Sequence, residues 1–327
     1  TAQNGNNHST QPFINQTHCT AMNRRLFLKN SFASSLVAGA SIQSPSLASQ
    51  AKETPFKLKF SPEFDIFGAL SGKDPIDQLK WGYDQGFRAW ENTFLKSRPV
   101  AEQEKISSTM QKLGMEFGQF VGTLTFDDVT FAGRDTSLRE NVLKEVRASV
   151  ETAKRMNTRF VHNVLGRADP KLPWDFQMAN AIELLKRIAD IYAPHNLVMV
   201  MESMNHKHNH PGMFLHTIPQ AYALAKPVGS QHVKVLFDFY HVQIQEGNLL
   251  PTLDYAWDEI AYIQIGDAPG RNEPTSGEIN FPNVLQHVYN KGYRGFVGLE
   301  HGIKKPGREG TQEALKAYRT IDVKNAQ

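Results

Sequence analysis

The chain has 327 residues, 36 of them Lys or Arg and 33 Asp or Glu, for a formal net charge of +3. Three of the basic residues (Arg24, Arg25 and Lys29) and none of the acidic ones lie in the first 50, so the remainder holds 33 of each sign and its neutrality offers no footing for nucleic acid. The only cysteine, Cys19, lies in the same segment, which leaves roughly 275 residues without disulfide or thiolate chemistry and long enough for one large domain.

Residues 1–50 read as an N-terminal extension and export signal, with Met22 as the expected start. Asn23-Arg24-Arg25-Leu26-Phe27-Leu28-Lys29 precedes an apolar, small-residue stretch (31–42) and then Ser46-Leu47-Ala48, the small side chains a signal peptidase needs. The paired arginines resemble a twin-arginine signal, which implies a periplasmic mature protein that is exported folded, with its metal loaded. The stretch is too short and too rich in Ser and Ala to span a bilayer, so no stable membrane insertion is expected.

From Phe56 short β-rich runs alternate with longer helical patterns. Strands are predicted at 56–60, 87–92, 115–121, 159–164, 197–202, 233–238, 260–265 and 295–300. Helices are predicted at about 75–85, 99–113, 137–156, 175–194, 217–226, 249–258, 281–291 and 310–323. In the third helix Leu138, Val142, Leu143, Val146, Val150 and Ala153 share a face, while Arg139, Glu140, Lys144, Glu145 and Arg147 fall mostly elsewhere. Gly86, Gly114 and Gly292 stand where a helix should stop before the next strand. Eight strand–helix pairs predict an α/β chain with a single (β/α)₈ TIM barrel over residues 51–327. The rival, a doubly wound open sheet, wants a Gly-rich phosphate turn after an early strand, and the sequence has none there.

Oxygen-bearing side chains recur at the strand ends: Glu202 closes 197–202, Asp238 closes 233–238, Gln264 sits near the end of 260–265, and Glu300 closes 295–300. In a parallel barrel all these ends open on one face, so the four converge. Three carboxylates and an amide in one pocket repel unless a cation lies between them, and an all-oxygen set suits one divalent Mn²⁺ or Mg²⁺ better than Zn²⁺. A 1,2-shift between a ketone and a neighbouring aldehyde needs one proton removed and another returned through an enediolate. Such a cation stabilises that species, with Glu202 and Glu300 as base and acid on opposite sides. Arg271, in the loop after strand seven, can grip a substrate carboxylate bidentately, and His241 reaches the same mouth to bind a substrate oxygen or orient Asp238. The alternating His206, His208 and His210 read as a rim rather than a metal tract, and Glu273 and Glu278 as shapers of their loop. His162, Glu91 and Asn92 are also placed near the pocket.

Four stretches carry a family resemblance: Glu202-Ser203-Met204-Asn205, Asp238-Phe239-Tyr240-His241, the run from Gln264 through Pro269-Gly270-Arg271-Asn272-Glu273-Pro274 to Phe281, and Gly292-Tyr293-Arg294-Gly295 through Glu300. They resemble the hydroxypyruvate isomerase branch of the xylose isomerase-like TIM barrel family of sugar isomerases and epimerases. The resemblance implies metal ligation by Glu202, Asp238, Gln264 and Glu300, with Gln264 typical of the hydroxypyruvate branch. Close relatives usually carry Pro where this chain has Ser203, a departure that bears on the substrate more than on the metal. The implied activity is isomerisation of a small hydroxy-oxo acid of the hydroxypyruvate/tartronate semialdehyde type, or of a sugar. A ketose 3-epimerase uses the same four ligands without needing Arg271. A non-catalytic periplasmic sugar-binding module would usually have lost one of the two glutamates. A metal-dependent apurinic endonuclease wants three metals, more histidine ligands and a basic face. A small-molecule substrate is therefore expected; the sequence leaves a homo-oligomer open.

Overall fold

The computed structural model describes residues 53–324; residues 1–52 and 325–327, and with them the Arg24-Arg25 signal and Cys19, lie outside the described residues. The strands are β1 (Lys59–Pro62), β2 (Ala89–Trp90), β3 (Glu116–Phe117), β4 (Gln119–Thr123), β5 (Phe160–Asn163), β6 (Val198–Glu202), β7 (Val233–Asp238), β8 (Ile260–Ile265) and β9 (Phe296–Leu299). Seven of them form one parallel sheet in the order β1-β9-β8-β7-β6-β5-β4. β2 joins its two edges. Glu91 N donates to Pro62 O (2.9 Å) on one side, and on the other Gly118 N donates to Trp90 O (2.8 Å) and Val121 N to Thr93 O (3.0 Å). With β3 and β4 acting as two pieces of one strand, the ring closes as the (β/α)₈ barrel that the alternation predicts.

Most strands are shorter than the sequence reading by a residue or more at their ends, and 87–92 shrinks to Ala89–Trp90; two departures have a visible reason. β1 begins at Lys59 rather than Phe56, because the Asp322 carboxylate takes the N–H groups of Lys57 (2.8 Å) and Leu58 (3.0 Å). The expected strand at 115–121 breaks at Gly118. There the backbone runs so close to the barrel interior that a Cβ would lie 2.3 Å from Tyr262 Oη and 2.7 Å from Ser61 Oγ.

Eight helices follow the ring strands: Pro75–Asp84, Val100–Leu113, Thr136–Met156, Trp174–Tyr192, Ile218–Val228, Leu249–Ala256, Phe281–Asn290 and Gly307–Ile321. Two short ones the periodicity did not show, Gly68–Ser71 and Phe239–Gln245, sit on loops at the C-terminal ends of β1 and β7. In Thr136–Met156 the apolar stripe is buried as expected, but so is Arg139, whose guanidinium bonds Gly133 O and Asn180 O (3.2 Å each). Each fully buried Val or Leu on such a stripe is worth about 1.5–3 kcal/mol. Among the described residues no helix is long and apolar enough to cross a membrane.

Gly82 shows how tightly this outer layer packs. A Cβ there would lie 2.3 Å from Cζ3 of Trp90, which is fully buried and has nowhere to retreat. Gly82→Ala gains about 0.5–1 kcal/mol of helix propensity but overpacks at roughly 1–3 kcal/mol. The sum should be a lower urea midpoint with an unchanged m-value.

Candidate active site

Strand alternation decides what faces inward. Val198 and Val200 on β6, Leu236 on β7, Tyr262 on β8 and Phe296 on β9 form, with Ala89, one buried cluster separate from the main core between strands and helices. Two residues further along each strand, on the same face, come Glu202, Asp238, Gln264 and, past Gly298, Glu300. An apolar plug therefore floors the site. Asp238 and Gln264 are register partners across β7 and β8, and Gln264 faces Gly298 across β8 and β9.

Glu202, Asp238 and Gln264 are buried, and Glu300 stands at the mouth with 27 % of its side chain exposed. Asp238 divides its oxygens between two tasks. Oδ1 accepts Tyr240 N (2.8 Å) and caps the helix Phe239–Gln245, which leaves Oδ2 for the cluster. His241, one turn along that helix, brings Nε2 to 3.7 Å from Asp238 Oδ2 and 3.5 Å from Glu202 Oε1. On the far side of Glu202, His162 Nε2 lies 2.9 Å from Oε2. The Nη2 of Arg271 bridges Glu300 Oε1 (2.7 Å) and Asp238 Oδ2 (3.5 Å). Every residue assigned to the site from sequence is thus at the same end of the barrel. Arg271 meets the acids directly instead of standing apart from them.

The charges are set by burial and by these neighbours. Burial alone would push Glu202 up, but His162, His241 and Arg271 together bring it down to about 2. Burial raises Glu300 to about 7 against the pull of Arg271, and raises Asp238 well above the usual carboxylate range. Burial also takes His241 down to about 3, so its imidazole is neutral at ordinary pH. His241 Nδ1 accepts Asn205 N (3.2 Å), which places the ring proton on Nε2, facing the acids. His241 therefore reads as a donor to a site oxygen and not as a metal ligand, although Glu202, Asp238 and His241 bring ligand-type atoms within 4.8 Å of one another.

The donor set fits a hard divalent cation. Glu202 Oε2 is taken by His162, but Glu202 Oε1, Asp238 Oδ2, Gln264 Oε1 and Glu300 Oε2 are buried without a hydrogen-bond partner in the protein. Four unsatisfied oxygens in one pocket are far more than a folded interior tolerates without a function, and all-oxygen ligation is what Mn²⁺ and Mg²⁺ take.

A cavity of about 600 Å³ opens beside Glu300 and Arg271, walled by Glu63, Phe64, Asn92, Phe94 and Arg98. Glu63 accepts Thr93 N (2.5 Å) and Asn92 Nδ2 (3.0 Å), while Arg98 donates to Asn92 Oδ1 (2.7 Å) above the Phe64 ring. Asn92 lines this wall as expected, whereas Glu91 lies beneath the site. The reading of the sequence missed Glu63 and Arg98. Glu63 follows β1, whose end was placed at residue 60; with the end at Pro62, its position beside the mouth follows.

The three alternating histidines do not converge. His206 stacks on His216 at 3.9 Å, His208 is exposed, and His210 stacks on Phe126 at 5.2 Å near His241. Glu273 accepts Lys304 N (2.8 Å) and Glu278 accepts Gln243 Nε2 (3.0 Å); both shape loops.

Residues 79–321 match the family model of the xylose isomerase-like TIM barrel. The hydroxypyruvate isomerase of Escherichia coli (strain K12) is 30% identical over 169 residues, 52% of this chain and 64% of that protein. The chain thus spans less than two thirds of that relative's length. The 2-oxo-tetronate isomerase of Pectobacterium atrosepticum is 26% identical over 72% of this chain and 89% of its own. Among solved structures, AP endonuclease, family 2 from Brucella melitensis superposes with TM-score 0.69 at 22% identity, covering 80% of this chain and 98% of that one. The 3-keto-D-glucoside 4-epimerase from E. coli gives 0.66 at 19%, covering 81% and 100%. At such identities the structures speak for the fold alone. The match over residues 79–321 and the closed parallel barrel agree: this chain belongs to the xylose isomerase-like TIM barrel family.

Proposed function

We propose that this protein is a metal-dependent isomerase that interconverts a small hydroxy-oxo acid of the hydroxypyruvate/tartronate semialdehyde type by proton transfer through an enediolate. The observation that carries the reading is the ring of buried, unsatisfied oxygens from Glu202, Asp238, Gln264 and Glu300. Relatives named hydroxypyruvate isomerase and 2-oxo-tetronate isomerase support it. One Mn²⁺ or Mg²⁺ held by these four would supply Lewis-acid polarisation of the substrate oxygens.

The residues divide the remaining work. Glu202, held ionised by His162, takes the proton from the carbon bearing the hydroxyl. Glu300, close to neutrality in its proton affinity, returns one to the adjacent carbon; two carboxyls with affinities pushed apart are suited to opposite roles. His241 donates through Nε2–H to an oxygen of the enediolate. Arg271 carries the guanidinium fork that suits a substrate carboxylate, which it would share with Glu300.

Arg271→Lys tests the substrate class. Lysine keeps the charge and loses the fork, so KM for hydroxypyruvate should rise while an uncharged ketose is turned over much as before. Indifference of all activity to Arg271, with turnover confined to neutral ketoses, would transfer the assignment to a ketose 3-epimerase. One feature favours that second reading: a cavity of about 600 Å³ with Phe64 and the 61 % exposed Phe94 in its wall is roomier than a three-carbon acid requires and offers rings for a sugar face.

The proposal includes export to the periplasm by the twin-arginine route. A reporter fused behind residues 22–50 should leave the cytoplasm, and should stop doing so with Arg24→Lys and Arg25→Lys together. Export that survives the double change removes this part.

A further inference from the structure

Beneath the acid cluster lies a carboxyl group that the proposed reaction does not use. Glu91, at the end of β2, is fully buried. Its Oε2 accepts Tyr262 Oη (2.5 Å), and its Oε1 accepts Gln119 Nε2 (3.1 Å) and Gln264 Nε2 (3.4 Å). The barrel makes room for it with two glycines. A Cβ on Gly298 would lie 2.7 Å from both Glu91 oxygens and 2.9 Å from Gln264 Cγ, and a Cβ on Gly118 would lie 3.1 Å from Oε2. The other end of the Gln264 amide, Oε1, is buried with no partner in the protein.

The two ends of a glutamine amide are nearly the same size, so packing alone does not choose which one faces the acids. Hydrogen bonding does. With Oε1 turned down it would meet the Glu91 oxygen, two acceptors in contact, while the amide NH₂ would point among the acids and bar a cation. With Nε2 turned down, the donor is satisfied and the oxygen is presented upward. A proton on Glu91 does not change this: Oε1 already accepts Gln119 Nε2, so the proton goes to Oε2, where the Tyr262 hydroxyl turns from donor to acceptor and Oε1 stays an acceptor for Gln264.

We propose that Glu91 is a positioning residue: by accepting from Gln264 Nε2 it fixes the amide with Oε1 toward Asp238 and Glu202, and so makes Gln264 an oxygen ligand. The inference rests on the metal-dependent reading above. Partners that orient a ligand in this way typically contribute about 10–100-fold in metal affinity.

The test is a double-mutant cycle on Mn²⁺ affinity, read from the electron paramagnetic resonance signal of free Mn²⁺ during titration. Glu91→Met should weaken binding by about 10–100-fold in the otherwise unchanged protein, but by no more than about twofold when Gln264→Leu is already present. Glu91→Gln keeps an acceptor at the Oε1 position and should retain the affinity. Equal losses in both backgrounds, or lowered thermal stability with unchanged affinity, would mean that Glu91 only supports the fold. If Glu91→Met does not fold, adding Tyr262→Phe removes the facing donor along with the acceptor, which is far milder than orphaning one of them. The cycle is then run from Tyr262→Phe. A protein that binds no Mn²⁺ before any substitution overturns the metal reading itself. Mn²⁺ binding that is indifferent to Glu91→Met overturns only this inference.

Discussion

Glu202→Gln and Glu300→Gln should each lower kcat by about 10²–10⁴, the contribution of a positioned acid or base, while the protein remains folded. The amide is nearly isosteric with the carboxyl, and neither change opens a cavity. The two variants should nevertheless differ in their surroundings. At Glu202 the substitution removes the anion that holds up the proton affinity of His162, which burial alone would depress. At Glu300 it leaves Arg271 paired only with Asp238 at 3.5 Å. Glu202→Gln should therefore be the more damaging to stability, because it strips the charge partner from a buried histidine. Full turnover by either variant would remove it from the chemistry.

The second large effect concerns the cation. Mn²⁺ at one hundred times its Kd should stabilise the protein by about 2.7 kcal/mol through mass action, read as a rise in melting temperature that chelation reverses. Asp238→Asn should abolish this rise. Its side-chain oxygen can still cap Phe239–Gln245 by accepting Tyr240 N, so the fold is kept, but the NH₂ then stands where Oδ2 was and presents donors to the acids. In the absence of metal the variant should be about as stable as the parent. Asp238 is a buried acid whose ionisation is opposed by burial and by Glu202 and Glu300, and removing it relieves that opposition. A melting temperature that rises equally in Asp238→Asn would place the cation elsewhere.

Much of this site was legible because strand periodicity is strict. Val198, Val200 and Glu202 alternate with Met199 and Met201, and once the apolar members are assigned inward the glutamate follows them. The same logic places Asp238, Gln264 and Glu300. What the sequence hid depended on contacts between distant segments. Asp322 withholds residues 57 and 58 from the ladder and so delays the start of β1, while pairing of Ser61 and Pro62 with Gly298 and Leu299 carries its end up to Glu63. The break at Gly118 answers to Tyr262, far along the chain. Tyr262 itself reads as one more aromatic in a strand. Its hydroxyl matters only because Glu91 lies opposite, and no local pattern pairs a residue of β2 with one of β8. Arg139 misleads for a related reason: its periodicity is that of the outer face, but Gly133 O and Asn180 O accept its guanidinium inside.

Proton transfer between adjacent carbons of a hydroxy-carbonyl substrate is the work assigned to Glu202 and Glu300. Incubation of the purified, Mn²⁺-loaded protein with hydroxypyruvate in D₂O, with the carbon-bound hydrogens followed by NMR, measures that transfer. The isomeric aldehyde should appear together with deuterium at the carbon that receives the proton, both lost on chelation and in Glu202→Gln and Glu300→Gln. Neither isomerisation nor solvent exchange, with hydroxypyruvate or any ketose offered to a protein shown to hold Mn²⁺, would contradict that assignment.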